Sequence, residues 1–261
     1  MEILVVLRNI YSNPDLFDDE KYLCKSDCNI LSEAMGFKEQ LAGKDVKITA
    51  LLFAENVPEN IQTLKKAGTY GVDEAYLIGF KNFDFSRTEE LARVMAKTIA
   101  MHFPDYDYIL FGRLAYDGDA VNIATQVACH LKIPEMVYSK EIIVSDNKIY
   151  AKKVLSPSEE VLYLLKGKVL IQSFREHGIT RQPKIADIIR TYQEMSFQTI
   201  DGDAMFATLP HSNHGLHFIR QIIPRNDTQT EFTLLNDISD EASSRKLLRL
   251  LQKKGFQGGQ L

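Results

Sequence analysis

The feature that most limits the possible folds of this chain is a regular alternation of strand-like and helix-like segments, from the first residue to about Asp187. Continuous apolar runs suit strands that are buried on both faces of a parallel sheet. Residues 3–7 form such a run, and residues 45–53, 74–80 and 108–111 are further segments that predict strands. The segments between them carry apolar residues every three or four positions, as amphipathic helices do. The alternation therefore predicts an α/β fold with a doubly wound, mainly parallel sheet.

The pattern changes after Pro134. Extended segments separated by the turn signals Asp146-Asn147 and Ser156-Pro157 predict a hairpin or β-meander. Residues 168–174 (KVLIQSF) are expected to rejoin the main sheet. Residues 196–240 are polar with scattered apolar positions, and residues 241–256 form an amphipathic helical pattern. We therefore divide the chain into an α/β nucleotide-binding domain, residues 1–190, and an extended C-terminal arm and helix, residues 191–261, which packs on another surface.

Composition excludes several classes of function. The net charge of −4 over 261 residues argues against nucleic acid as the main partner. No apolar run is long enough to cross a bilayer, so no membrane insertion is expected. The first residues, MEILVVLRNIY, lack a basic region and a small-residue cleavage site, so they are expected to form a strand and not a signal peptide. The expected location is the cytoplasm.

The stretch from Asp107 to Gln126 predicts a nucleotide site. An apolar strand ends at Gly112, a polar turn follows from Asp117 to Asp119, and a helix of small residues begins at Ala120. The unpaired N–H groups and the dipole of a helix N-terminus favour a phosphate there. The stretch matches neither standard glycine-rich fingerprint. Two alternatives stay open: a plain strand–turn–helix capped by Asp119, and a magnesium site at Asp117 and Asp119.

Other candidate constellations favour structural roles. Cys24 and Cys28 lie in a C-x3-C spacing without a second pair, which suggests two reduced thiols in a loop more than a metal or redox site. His211, His214 and His217 are expected in a loop without metal. No residues predict nucleophilic catalysis. The chain is therefore expected to hold a cofactor or partner and to break few bonds itself.

Five blocks, in order and spacing, resemble the beta subunit of electron transfer flavoprotein, including its FixA-like relatives. They are ILVVLRNIY, SEAMGFKEQLAG, LKKAGTYGVDEAYLI, GRLAYDGDAVNIATQVACHLKIP and ITRQPKIADIIRTY. The resemblance implies a Rossmann-like, adenine nucleotide alpha-hydrolase-like domain that pairs with a separate alpha subunit. It also implies that residues 191–261 pack on that subunit.

The resemblance implies a function in electron transfer. The heterodimer would pass electrons between an acyl-CoA dehydrogenase-type flavoenzyme and an acceptor, in some members by flavin-based bifurcation. This chain would then be a carrier subunit and not an enzyme, because the chemistry belongs to the flavin and to the dehydrogenase. It would hold FAD or, alternatively, AMP. A rival reading is an AMP- or ATP-binding adaptor or sensor without redox activity.

Site residues carry over from the family by position. The cofactor contacts implied are Val6, Cys24, Asp27, Leu52, Glu55, Gly112, Arg113, Asp117, Gly118, Asp119, Ala120, Val121, Asn122 and Ile123. Ile185 falls at the exposed aliphatic anchor that binds the dehydrogenase, although the same residue could begin a helix and face the core. The family's Asn-Pro pair is replaced here by Cys24-Lys25. The Asp117-Gly118-Asp119 turn resembles the FAD-binding type.

Overall fold

A computed structural model of the chain describes residues 1–7, 23–41, 44–85, 87–112, 121–146, 148–156, 159–173, 181–210 and 240–253. The strands are β1 (Glu2–Leu7), β2 (Lys47–Glu55), β3 (Glu74–Phe80), β4 (Tyr108–Phe111), β5 (Glu135–Ser139), β6 (Glu141–Ser145), β7 (Lys148–Ser156), β8 (Glu159–Leu165), β9 (Val169–Ser173) and β10 (Gln198–Asp201). The helices are α1 (Lys25–Gln40), α2 (Pro58–Thr69), α3 (Thr88–His102), α4 (Val121–Leu131), α5 (Ile185–Gln193), α6 (Gly202–Ala207) and α7 (Asp240–Lys253).

The main sheet of the described residues is parallel, in the order β10-β3-β2-β1-β4-β9-β5. From β1 the chain moves outward to β2 and β3, and then crosses to the other side of β1 at β4. Strand order therefore reverses between β1 and β4. This confirms the predicted α/β fold with a mainly parallel, doubly wound sheet.

Helices cover both faces of this sheet because the side chains of each strand alternate between two cores. Ile3, Val5 and Leu7 of β1 pack in the core that includes α1 and α2. Leu4 and Val6 pack in the core that includes α3 and α4. All five side chains are at most 1% exposed, as continuous apolar runs in a parallel sheet require.

The predicted meander is present as an antiparallel sheet in the order β6-β7-β8. Its inner face buries Ile142, Ile149 and Leu165 in the same core as α1. At the edge of β6, the Gln40 amide donates to the carbonyl O of Ile142 (3.1 Å) and accepts from the N–H of Val144 (2.9 Å). The Gln40 side chain thus takes the place of a neighbouring strand.

The sheet extends beyond the domain boundary that the sequence predicts at residue 190. β10 pairs in parallel with β3, and the compact unit that contains it runs from Met1 to Gly215. The sequence did not reveal β10, because this short edge strand has mostly exposed, polar residues and no apolar run. The boundary at residue 190 stays a prediction. β5 was also not predicted.

The remaining unit, residues 216–261, contains α7. On this helix, taken by itself, Leu247, Leu248 and Leu251 are exposed. The packing of the C-terminal arm on a partner subunit stays a prediction. Among the described residues, no helix combines the length and the apolar character that a bilayer crossing requires.

Candidate functional site

The point where strand order reverses lies between the carboxyl ends of β1 and β4. β1 leads to α1 on one face of the sheet, and β4 leads to α4 on the other. Open α/β sheets bind ligands in a crevice at this edge of the sheet, beyond the carboxyl ends of the strands. The edge between β1 and β4 is therefore the candidate crevice. Gly112 directly follows β4 at this edge.

The first turn of α1 lies beside the end of β4 at this edge. The helix begins at Lys25, and the Sγ of its N-cap residue Cys24 accepts a hydrogen bond from the N–H of Asp27 (3.3 Å). Cys24 and Asp27 are both fully buried. The two cysteines therefore do not lie in a loop, as the sequence suggested. The sequence did not show that a helix begins after Cys24, because cysteine is not among the residues preferred at an N-cap.

Cys28 faces a different neighbour from Cys24. The pKa of Tyr70 is raised by burial and by a hydrogen bond with the Cys28 side chain, which joins α1 to the end of α2. In the described part of the chain, no three His, Cys, Asp or Glu residues are grouped so that they could hold a metal ion. Cys24 therefore caps α1, and Cys28 contacts Tyr70.

Gly112 and the first turn of α1 are in close contact. A Cβ added to Gly112 would lie 3.2 Å from the carbonyl O of Ser26 and closer still to the Ser26 side chain. Only glycine lets the end of β4 approach the helix this closely. The structure therefore brings together two segments that the resemblance assigned to the ligand, Cys24 to Asp27 and Gly112.

Three other predicted contacts have their side chains in the hydrophobic core. Val6 is 1% exposed, Leu52 is fully buried, and Ile123 in the first turn of α4 is 7% exposed. Their side chains fill the two faces of the sheet and do not line the crevice. Glu55 differs, because it ends β2 at the same edge with its side chain exposed.

The rest of the predicted loop lies outside the described residues. This holds for Arg113, Asp117, Gly118, Asp119 and Ala120. Val121 and Asn122 begin α4, where only the backbone is described. His211, His214 and His217 also lie outside the described residues.

Sequence reasoning missed polar residues at the carboxyl ends of the strands next to β4. Gln172 and Ser173 end β9 and are at most 2% exposed, and Gln172 is in register with Phe111 of β4. Ser139 ends β5, is fully buried and pairs with Ser173. The available signal was two polar residues after the apolar run VLI, at the strand end where ligands bind.

Ile185 is the first residue of α5 and is 77% exposed. It does not face the core, which was the alternative reading of this residue. Ile188, Ile189 and Tyr192 are also exposed on the same helix, and Thr191 is the residue that α5 buries.

Comparison with known proteins agrees with this geometry. The model of the electron transfer flavoprotein domain family matches residues 18–158, which is more than half of the chain. The matched range includes both the first turn of α1 and Gly112. It also includes the meander as far as β7.

Curated relatives carry corresponding names. An electron transfer flavoprotein subunit beta of Thermoanaerobacterium thermosaccharolyticum is 28% identical over 68% of this chain and 65% of its own length. One of Megasphaera elsdenii is 31% identical over 61% of this chain and 59% of its own length. A caffeyl-CoA reductase-Etf complex subunit of Acetobacterium woodii is 26% identical over 64% and 62%.

The chain thus spans less than two thirds of the length of each of these relatives. The resemblance to electron transfer flavoprotein beta subunits is confirmed by these names and by the family model. The strand order and the family match lead to the same assignment: the chain belongs to the electron transfer flavoprotein domain family.

Proposed function

We propose that this chain is the beta subunit of a heterodimeric electron transfer flavoprotein, which passes electrons between a flavin-dependent dehydrogenase and an acceptor. The observation that carries the proposal is the position of the family match. It covers Cys24 to Asp27 and Gly112, the two segments that meet at the crevice between β1 and β4. Cytoplasmic location stays a prediction from the sequence.

The proposed ligand of this subunit is FAD, with AMP as the alternative. Both carry phosphate groups, and the positive end of the α1 helix dipole lies at the first turn of this helix. The absent side chain at Gly112 keeps this turn and the end of β4 close together. A bound flavin would supply the electron-transfer chemistry, whereas the chain would bind and orient it. In this proposal the chain contributes no catalytic residue.

The pattern of exposed and buried residues on α5 supports docking of a dehydrogenase at Ile185. This helix is inverted relative to an ordinary surface helix, because it buries the polar Thr191 and exposes Ile185, Ile188, Ile189 and Tyr192. A Cβ added to Gly68 of α2 would lie 2.6 Å from the Thr191 methyl group, so the polar side of α5 is closely packed on α2. An exposed apolar row at helical spacing is typical of a helix that enters a partner's groove.

The residues that precede α5 are held in place by ion pairs with α1. The Arg181 Nη1 lies 2.6 Å from the Glu39 Oε1, and the Arg181 N–H donates to the Ser32 hydroxyl (3.0 Å). The Arg190 guanidinium donates to the carbonyl O of Val72 (2.6 Å). A preorganised apolar helix loses little conformational freedom when it binds, which favours a role as a docking element.

Counting cofactors in the purified heterodimer tests the proposal. The chain is co-produced with an electron transfer flavoprotein alpha subunit from the same organism, and flavin and AMP are measured per heterodimer. Two flavins support FAD in this subunit, and one flavin with one AMP supports the alternative ligand. The alpha subunit alone is the control for flavin that this chain does not bind.

The rival function, a nucleotide-binding adaptor without redox activity, predicts a different result. It requires AMP or ATP in the purified chain, no flavin in any complex, and no reduction by a dehydrogenase.

Bifurcation is a finer proposal, supported by the resemblance of the Asp117-Gly118-Asp119 turn to the FAD-binding type. It requires two flavins and the coupled reduction of a low-potential and a high-potential acceptor.

A further inference from the structure

Gly68 occupies a helical position where the backbone does not require glycine. It lies in the last turn of α2 and is buried, and alanine is more favourable than glycine within a helix. Gly71, by contrast, follows the end of α2 with a φ of +106°, a left-handed conformation that favours glycine after a helix. The helix end therefore explains Gly71, whereas Gly68 needs a different reason.

The reason is the space that Gly68 leaves for Thr191 of α5. A Cβ added to Gly68 would lie 2.6 Å from the Thr191 methyl carbon and 3.0 Å from the Thr191 hydroxyl oxygen. That hydroxyl donates to the carbonyl O of Asp187 within α5 (2.7 Å), so its hydrogen bond does not depend on α2. The methyl group of Thr191 thus fills a notch that the absent side chain of Gly68 leaves in α2.

A second contact holds the same side of α5. Asp187 and Thr191 are four residues apart and therefore lie on one face of the helix. The Asp187 carboxylate is 3.3 Å from the position that a Cβ on Gly71 would take, and its Oδ2 lies 3.7 Å from the Arg181 Nη2. Ile185 belongs to the same short helix, so a displacement of the buried face of α5 moves this exposed side chain as well.

We propose that the contact between Thr191 and Gly68 positions α5 for the dehydrogenase, so that two buried residues which do not reach this partner control its affinity. The inference rests on the proposed docking role of α5. With a Cβ at Gly68, an ordinary carbon–carbon contact of about 3.5–4.0 Å requires α5 to move by about 1 Å. The dehydrogenase would then bind only the fraction of molecules in which α5 has returned to its place, and its apparent affinity would fall by that fraction.

A double-mutant cycle tests the proposal. Gly68→Ala and Thr191→Ala are introduced singly and together into the co-produced heterodimer, and an acyl-CoA dehydrogenase from the same organism is titrated against each variant. Gly68→Ala should raise the dissociation constant roughly tenfold. The same substitution in the Thr191→Ala background should not raise it, because the added methyl group then occupies the space that Thr191 vacates. Unchanged affinity in Gly68→Ala, or an equal loss in both backgrounds, overturns the proposal.

Two measurements separate positioning from a general loss of structure. Titrations are made well below the thermal transition of each variant, so that unfolded protein does not count as lost affinity. Gly36→Ala is the matched control, because Gly36 lies in a helix with open space at its Cβ position. It should leave the affinity for the dehydrogenase unchanged, and a loss equal to that of Gly68→Ala would contradict the proposal.

Thr191→Val gives a test that does not depend on the folding of Gly68→Ala. Valine keeps a methyl group beside Gly68 and loses the hydroxyl, so this variant should bind the dehydrogenase as the unchanged protein does. Thr191→Ala leaves the notch empty and should bind more weakly than Thr191→Val. Equal affinities of these two variants would show that the methyl group does not position α5.

Ile185→Ala, measured in the same titration, distinguishes a failure of this inference from a failure of the docking role. If Ile185→Ala binds the dehydrogenase as tightly as the unchanged protein, then α5 is not the docking helix and both proposals are wrong. If Ile185→Ala weakens binding and Gly68→Ala does not, the docking role stands and the positioning role of Gly68 and Thr191 is wrong.

Discussion

Gly112 shows how one residue can bring two segments of the candidate site together. It is not part of a standard glycine-rich fingerprint, and its importance follows from the short distance to Ser26. The sequence predicted a glycine exit from β4, but it could not predict that α1 begins directly beside it. That contact depends on which strands are neighbours, and the two segments are far apart along the chain.

Gly112→Ala is expected to reduce the cofactor content of the purified heterodimer, because the new Cβ displaces the first turn of α1. Gly36→Ala is the matched control. Gly36 lies inside α1 with open space at its Cβ position, so alanine there should stabilise the helix by about 0.5–1 kcal/mol. Cofactor content and thermal stability are measured on both variants. Full occupancy in Gly112→Ala would contradict the assignment of this crevice.

Tyr70 makes stability depend on alkaline pH. Its pKa is raised in the folded state, chiefly by burial and also by the hydrogen bond with Cys28. The protonated phenol is thus favoured by folding. This stabilisation is complete below the ordinary tyrosine pKa of about 10 and is lost as the pH rises above it, by up to about 1.4 kcal/mol per pH unit. Urea unfolding at increasing pH should show this slope.

Tyr70→Phe should lower stability at neutral pH by about 1 kcal/mol, through the lost hydrogen bond, and should reduce the alkaline slope. Burial also raises the pKa of Tyr76, Tyr106 and Tyr108, so part of the slope should remain. Tyr192→Phe is the control, because that ring is 61% exposed. If both variants keep the slope of the unchanged protein, then Tyr70 is not its source.

Among the secondary-structure elements, α5 has the least ordinary arrangement. Its apolar residues are exposed to solvent, whereas its buried residue, Thr191, packs against Gly68 of α2. Hydrophobic periodicity predicts that a helix packs its apolar side inward, and this rule is what made a core position for Ile185 plausible. The rule holds for α1 to α4 and fails at α5. The proposed docking role would account for this exception, because a docking helix exposes the apolar residues that its partner covers.

Ile185→Ala should weaken dehydrogenase binding by roughly 1–3 kcal/mol, as truncation of an interface anchor does. Heterodimer stability and flavin content should be unchanged, since the side chain is 77% exposed. Met101→Ala on α3 provides a control with a similar loss of exposed apolar surface, as Met101 is 58% exposed. Binding is measured by titration of the dehydrogenase. A loss of folding at unchanged affinity would show that Ile185 is structural.

Other elements show where sequence patterns are sufficient. The apolar runs predicted β1 to β4 and β9, because strands buried on both faces cannot contain many polar residues. Alternation and turn signals predicted the meander. β5 and β10 were missed because they are the two edges of the sheet, where short strands need few apolar residues. At the site, the start of α1 at Lys25 was missed because its N-cap is a cysteine.

At the scale of the whole molecule, an aromatic cluster joins the segment after residue 190 to the sheet. The Phe80 and Phe83 rings lie 4.8 Å apart, and the Phe83 and Phe206 rings lie 5.3 Å apart. A Cβ on Gly202 would collide with the Phe80 ring, so α6 is closely packed on β3. The compact unit therefore needs residues well beyond the end of α5.

Truncation tests this boundary. A chain that ends at residue 215 should keep the cooperative thermal transition of the compact unit. A chain that ends at residue 190 loses β10 and Phe206, and should be less stable by roughly 3–5 kcal/mol, with more dye-accessible apolar surface. Calorimetry and dye binding distinguish the two. Equal stability of both truncated chains would favour the boundary predicted from sequence.

The strand order also has a consequence for synthesis of the protein. β5 joins the sheet through β9, its one neighbour among the described strands, although the whole meander lies between them in the chain. A ribosome must therefore translate residues 140–168 before β5 can be incorporated. Until then β4 has a free edge, and the nascent polypeptide exposes apolar strands that a chaperone would recognise. Incorporation of β5 is thus timed by translation of β9.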